Sequence, residues 1–522
     1  MMWILVILLR YFRWFIDVTS DIIYQWLYED QKQLLPPFKN DITLMPATEL
    51  ATKIRNRQLK CIDVIEAYIQ RIQAVNPIVN CLVDTRFNEA RIEAQSVDDL
   101  LDNPQTSREE IALSQPFLGV PFTTKDCFAV KGLSWTVGLL ERKGQTASLD
   151  ADTVQNMKEA GAIAMGVSNV SELCMWYESA NNVYGRSNNP YHTGRMVGGS
   201  SGGEACAISS GCSIFGIGSD VGGSIRMPAF FNGIFGHKPS TGIVSNYGQL
   251  PQAQGVINTF LSTGPLCRYA QDLMPMFKVL AGPKQSLELE LDKPVDIRKL
   301  KIFYMVDDGG HPLITPVDSE MRKAQMNLVH KLEQDHGLQS HEVKLKGLYH
   351  SAQIWSNKMS SEPTALSFAQ ELKQGNGAIN PYWEFLKWMC FKNSDHTLPA
   401  LGLAMLDPFV GPHQRDHKLF LERYESLKAE LEALLGDDGI LLYPSHPTSA
   451  PYHGQAILRT FNFGYTAIFN VLGNPVTQCP LGLSSKGLPL GTQIVGPINK
   501  DRNTLALAQL IEKSFGGWVN PC

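Results

Sequence analysis

Two serines set among glycines stand close together in the chain, in Gly198-Gly199-Ser200-Ser201-Gly202-Gly203 and in Gly218-Ser219-Asp220-Val221-Gly222-Gly223-Ser224. A lysine precedes both, in Val120-Pro121-Phe122-Thr123-Thr124-Lys125-Asp126. A serine hydroxyl attacks an acyl carbon only when a base takes its proton and N–H donors receive the oxyanion. Ser224 follows an apolar run, where a strand-to-helix loop can aim successive backbone N–H groups at one point. Each such donor is worth about 3–4 kcal/mol on a developing oxyanion. Glycines at 222 and 223 let the backbone approach an acyl carbon with no Cβ in the way. Lys125 is the candidate base, on one condition: an ammonium cannot accept a proton, so the amine must be withdrawn from water among hydrogen-bond partners.

Each residue has a blander reading. Gly-Gly-Ser is a common turn, and a Lys-Asp dipeptide is usually a solvated pair. Gly198–Gly202 also satisfies the G-x-S-x-G elbow of α/β-hydrolases. That elbow needs an apolar strand just before it, and the preceding Asn188-Asn189-Pro190-Tyr191-His192-Thr193-Gly194 is loop chemistry. An elbow is therefore not expected.

The elements that must carry these residues alternate. Helices are expected near 47–57, 62–75, 87–102 and 151–160, with short apolar strands at Asn80–Asp84, Gly119–Lys125 and Ala162–Val167. A helix from Gly203 to about Gly211 leads to a strand Ser213–Ser219, and Ser224 opens another helix. After a polar surface connection at 283–298 come a strand Lys301–Met305, a helix near 316–336 and a strand near 341–345. A well-patterned helix near 413–434 follows, then strands Ile440–Tyr443, Val476–Pro480 and Thr492–Val495 and a helix near 502–514. This alternation predicts an α/β layered fold with a mixed or parallel sheet.

The chain of 522 residues, 44% apolar, can bury a large core. Its 46 basic and 51 acidic residues leave a net charge of -5 and no basic face, so nucleic acid is not an expected partner. Ten scattered cysteines with no C-x-x-C pair read as reduced core thiols. No cluster with metal-ligand spacing is visible, and neither a metal nor an organic cofactor is expected. Asn169-Val170-Ser171 matches a glycosylation pattern but is discounted as a buried turn.

Trp3–Leu9 is a continuous apolar run, interrupted by Arg10 and Arg13 well before a span is complete. Thereafter Arg10, Arg13, Asp17, Ser20, Asp21 and Gln25 recur at helical spacing. Residues 1–34 are thus expected to form a helix lying in a membrane interface. A snorkelling span and a helix packed on the core are the alternatives, and Leu35-Pro36-Pro37 ends the segment as a linker. The aromatic window Asn380–Phe391 reads equally as a second lipid-touching cap or as a helix buried against the sheet. Cys174, Met175 and Trp176, between a strand and the glycine-rich block, are candidate substrate-lining residues.

From Lys125 through Lys238 the sequence resembles the amidase signature family. The resemblance rests on Gly119–Asp126, Gly198–Gly203, Gly218–Ala229 and Gly236-His237-Lys238-Pro239-Ser240. It continues through Asn189-Pro190-Tyr191, Leu442-Tyr443-Pro444 and Gly487–Gly496. Within the family the chain is most similar to the fatty-acid amide hydrolases of the second type, on Asp437-Asp438-Gly439, Leu442–Pro447, Cys479–Leu483, the apolar N-terminus and Val197. The resemblance implies an α/β/α sandwich with a central mixed sheet, one catalytic domain over 40–520 and a core at 119–241. It further implies Ser224 as acyl-forming nucleophile, Ser200 as a cis-serine passing protons, and neutral Lys125 as ultimate base. The oxyanion donors would be the N–H groups of Val221, Gly222, Gly223 and Ser224. Asp220 and Arg226 are expected to form a bracing ion pair, and Ser201 to support Ser200. The implied substrates are fatty-acid primary amides and N-acylethanolamines at a membrane surface, with a homodimer possible. The expected location is an intracellular membrane, endoplasmic reticulum or lipid droplet. The competing functions are the glutaminase component of an amidotransferase and a catalytically silent membrane scaffold.

Overall fold

A computed structural model describes residues 2–362, 365–391, 393–410, 412 and 414–522. One twisted sheet of eleven strands runs through it. In chain order the strands are β1 (Leu82–Thr85), β2 (Pro121–Lys125), β3 (Ile163–Ser168), β4 (Phe215–Asp220), β5 (Phe235–Lys238), β6 (Ser262–Cys267), β7 (Lys301–Tyr304), β8 (Ser340–Glu342), β9 (Gly439–Tyr443), β10 (Val476–Leu483) and β11 (Pro489–Val495). Across the sheet the order is β1-β3-β2-β4-β6-β5-β10-β11-β9-β7-β8. β2 runs parallel to both β3 and β4, and β7 runs parallel to both β8 and β9. The central pairs from β4 to β11 are antiparallel, which makes the sheet mixed as expected.

Helices cover both faces, and the inner strands are buried along their length, polar positions such as Lys125, Asp220 and His237 included. β2, β3, β4 and β6 contain no residue more than slightly exposed. Helices expected near 62–75 and 87–102 occupy Cys61–Val79 and Phe87–Asp102. The helix near 413–434 runs from His417 to Leu435, and residue 413 lies outside the described residues. Strands β5 and β6 were not expected. The polar connection at 283–298 is partly helical, since the helix Leu273–Glu288 continues through a break at Gly282. All ten cysteines are free. Asn169 is fully buried, its amide donating to Gly185 O and Ser187 Oγ, so the sequon has no accessible acceptor.

The N-terminal helix Met2–Tyr28 docks with its polar side inward. Asp17 meets Arg13 and Arg459, Asp21 meets Arg459 and Gln455, and Arg10 donates to Gly310 O. Leu8, Phe12, Phe15, Ile22 and Trp26 are left on the outside, Trp26 being 81% exposed. Among the described residues no helix is long and apolar enough to cross a membrane. The aromatic helix Pro381–Phe391 buries none of its residues, so the reading that packs it against the sheet does not hold.

Candidate active site

Lys125 is the last residue of β2, and two neighbouring strands bring it into the core, where it has no exposed surface. Its Nζ donates to Ser200 Oγ and to Ser219 Oγ, each at 2.9 Å. The solvated Lys-Asp pair is ruled out by Asp126, whose carboxylate instead accepts from Thr136 N at 2.9 Å and from its hydroxyl. Burial pushes the Asp126 carboxyl up to about 6 against those bonds.

Ser200 follows a cis peptide from Gly199 and is 1% exposed. The turn is tight against its neighbours: a Cβ at Gly199 would collide with the Trp176 carbonyl. Ser201 does not support Ser200 as expected. Its hydroxyl reaches the Ser219 carbonyl at 3.4 Å, tying the serine turn to β4.

Ser224 lies just beyond β4, 8% exposed, and lines one cavity with Ser200 and Ser219. No hydrogen bond joins the Ser200 and Ser224 hydroxyls in this structure. The lysine-to-serine link is therefore closed and the serine-to-serine link open.

The loop between β4 and Ser224 is fixed from three sides. Asp220 and Arg226 form a fully buried pair, Nη2 to Oδ1 and Nε to Oδ2 both at 3.0 Å. Asp220 also accepts from Gly223 N at 2.6 Å and Ile225 N at 3.0 Å. Trp355 Nε1 holds the Val221 carbonyl at 2.7 Å, and Thr466 Oγ1 holds that of Gly222 at 2.9 Å. Gly223 has φ 118°, and a Cβ there would strike Thr466.

This arrangement corrects one expected donor. The Gly223 N–H is already committed to Asp220, because a carboxylate three residues earlier closes a turn on it. The N–H groups of Val221, Gly222 and Ser224 meet no acceptor among the described residues, so three candidate oxyanion donors remain rather than four.

The sequence pattern of the amidase family matches residues 63–505. The chain belongs to the amidase family. It is 49% identical over 490 residues to fatty-acid amide hydrolase 2 of Homo sapiens, covering 93% of this chain and 92% of that protein. The 2-A form of that hydrolase in Danio rerio is 48% identical, with the same shares covered. A component of the glutamyl-tRNA(Gln) amidotransferase of Psychrobacter cryohalolentis is 25% identical over 501 residues, 91% of this chain and 97% of that one. A solved structure of fatty acid amide hydrolase shares the fold, with a TM-score of 0.74 over 96% of this chain and 89% of that chain at 20% identity.

The cavity of this amidase holds about 540 Å³, within the range of small-ligand sites. Cys174 and Met175 line it near the serines. Trp176 does not, because its ring packs on Tyr177 at 5.1 Å behind the serine turn. Hydrogen bonding from Cys127, with Lys125 and Ser200 adding, lowers the Cys174 thiol to about 7 despite burial. Leaving the serines, the wall becomes apolar through Leu250, Ile257, Trp355, Phe368, Leu403 and Val410. Leu403 lies on the helix Leu398–Leu406, held at its start by Glu172, which accepts from Thr397 N at 2.8 Å and meets His396 at 2.7 Å.

Sequence reasoning missed Ser219, the second partner of Lys125. It stands in the quoted Gly218-Ser219-Asp220 stretch at the end of β4, which pairs with β2, so a polar side chain beside the lysine was open to inference.

Proposed function

We propose that this amidase-family chain hydrolyses long-chain fatty-acid amides to the acid and ammonia or an amine. The observation that carries the reading is a buried lysine amine bonded to the serine of a cis peptide, in an apolar-walled cavity shared with Ser224. Ser224 Oγ attacks the acyl carbon. Its proton passes to Ser200 Oγ as that hydroxyl gives its own proton to neutral Lys125 Nζ. The N–H groups of Val221, Gly222 and Ser224 receive the oxyanion. As the C–N bond breaks, the relay delivers the proton to the departing nitrogen, leaving an acyl ester on Ser224. Water then attacks the ester, the relay taking its proton, and the fatty acid leaves with Ser224 restored. Amide turnover needs this return of a proton, since an amine anion is a poor leaving group.

The likeness to fatty-acid amide hydrolase 2 supports the acyl class, as does the largely apolar wall of the cavity. The N-terminal helix, docked by its polar side with Phe12, Phe15 and Trp26 outward, suits an interface-lying anchor at an intracellular membrane. The exposed aromatic helix Pro381–Phe391 offers a second lipid-touching surface, next to the helix that carries Leu403.

The test is hydrolysis of oleamide by the full chain. Ser224→Ala should abolish turnover and labelling by a fluorophosphonate, and Lys125→Ala should slow turnover by about 100-fold or more. Wild-type turnover by Ser224→Ala overturns the assignment. For the anchor, Phe12, Phe15 and Trp26 changed to Ser should leave fewer molecules on phosphatidylcholine vesicles. Unchanged binding refutes that part.

A further inference from the structure

Glu204 takes no part in the relay above, yet its side chain has no exposed surface. It lies in the first turn of the helix Gly202–Ser209, four residues past Ser200. A buried carboxyl group must be hydrogen-bonded or neutral. Two hydroxyls hold this one: Ser168 Oγ donates to Oε2 at 2.7 Å, and Thr123 Oγ1 donates to Oε1. Thr123 is on β2 and Ser168 on β3, where Ser168 is the register partner of Lys125. Thr123 also stands two residues before Lys125, so the two side chains leave the same face of β2. One carboxyl group thus ties the lysine strand, its neighbour and the helix that the serine turn opens into. β4 leaves room for it, because a Cβ at Gly216 would overlap Glu204 Oε1.

Burial pushes this carboxyl up to about 7, while Thr123, Ser168 and Lys125 pull it down. The ionisable groups that act across this space are Lys125 on β2 and, on the segment before β1, Cys81, whose thiol burial keeps neutral. Among the described residues no cation contacts Glu204 directly. A carboxylate here attracts a proton to the lysine pocket, and a neutral carboxyl does not.

We propose that Glu204 is a positioning residue for the amide reaction: it fastens the lysine strand to the serine turn, and its charge governs when Lys125 is free to act as base. The inference rests on reading Lys125 as the base. It goes further by naming the group that sets the acid limb of the activity profile.

The experiment is kcat/KM of the full chain for a long-chain primary amide from about pH 5 to about pH 10. Glu204→Gln keeps the shape and loses the charge. Its acid limb should move to lower pH by about one unit, whatever its maximal rate. Glu204→Asp keeps the charge on a shorter arm that no longer spans both hydroxyls. Its rate should fall across the range with the limb near that of the unaltered protein. Ser168→Ala, a smaller change, should move the limb in the same direction as Glu204→Gln, and it covers a failure of either variant to fold. An acid limb that stays in place in both Glu204→Gln and Ser168→Ala overturns the proposal and leaves Glu204 a structural brace. Lys125→Ala separates the two ideas: if it keeps full activity, the reading of the base has failed instead.

Discussion

Replacing Asp220 by Asn tests whether one buried carboxylate sets the nucleophile loop. The carboxylate receives six donors: Gly223 N, Asn470 Nδ2 and Arg226 Nη2 on one oxygen, Ile225 N, Arg226 N and Arg226 Nε on the other. An amide offers one oxygen and one NH2, so at least two donors would face hydrogens. Each buried donor left unpaired costs about 1–3 kcal/mol. Arg226 keeps Thr466 O, Gln493 Oε1 and Asn470 Oδ1 but loses the one counter-charge it meets among the described residues. Breaking a buried pair on one side costs about 3–5 kcal/mol, and the two figures describe much the same loss. Folding should survive with a lower Tm, because total stability is about 5–15 kcal/mol. The freed Gly223 N–H lets the loop relax, and misplacing one oxyanion donor slows the reaction by about 100-fold or more. The rate of Ser224 labelling by a fluorophosphonate reports the loop, and calorimetry reports Tm. Burial pushes the Asp220 carboxyl up, but Arg226, Ile225 N and Asn470 outweigh it and hold it far below the usual carboxylate range. Its stabilisation is therefore complete above the unfolded value of about 3.9 and is lost only as pH falls through the lower folded value. The Tm difference between the two proteins should stay constant from about pH 5 upward. A second variant, Asp220→Ala with Arg226→Met, should recover Tm without recovering labelling, since an apolar pair can replace a buried ion pair but cannot hold Gly223 N. Unaltered labelling and Tm in Asp220→Asn would refute the argument.

Ser219→Ala leaves the buried amine of Lys125 with Ser200 alone, and kcat/KM for amides should drop by about 10-fold to 100-fold. Ser219→Thr, which keeps the hydroxyl, should retain most of it, and equal losses in the two would count against a hydrogen-bonding role. Each methylene buried along the apolar wall contributes about 0.8 kcal/mol, so an amide four carbons shorter should lose up to about 3 kcal/mol, or about 100-fold, in kcat/KM. Turnover independent of chain length would show that the acyl chain does not occupy this cavity. Burial pushes the Glu512 carboxyl up to about 7, so the folded chain prefers it neutral and stability falls as pH rises from about 4.5 to about 7. Glu512→Gln should lose that part of the dependence, read as the change in Tm between about pH 5 and about pH 8. A slope equal to that of the unaltered protein would place the cause elsewhere.

What the sequence carried depended on how local each signal was. The lysine and both serines stood out because glycine-rich loops and short apolar runs are read over a few residues. The helix Phe87–Asp102 was legible for the same reason. Strands β5 and β6 were missed because their side chains, Phe-Gly-His-Lys and Ser-Thr-Gly-Pro-Leu-Cys, lack both alternation and an apolar run. They are buried only because β4 and β10 lie on either side. The Gly223 N–H is the opposite case, since its acceptor is only three residues away and the Asp-x-x-Gly turn was open to inference.

The N-terminal helix shows where local reading ends. Helical spacing divides residues 10–25 into a polar and an apolar side, but it cannot say which side the protein takes. The usual expectation puts the apolar side on the core. Here Asp17 and Asp21 find Arg459, more than 430 positions away, and Asp17 also takes the Thr315 hydroxyl at 3.1 Å. Charged side chains on that inner side would be costly if unpaired, so the docking needs both the aspartates and Arg459. Arg459→Ala should therefore release the helix, exposing residues 29–40 to protease while oleamide hydrolysis in detergent continues, because the helix contributes no wall of the cavity. If the segment stays protected, the remaining polar contacts, Arg10 to Gly310 O, Arg13 to Leu458 O and Gln455 to Asp21, and not the Arg459 ion pairs hold the helix in place.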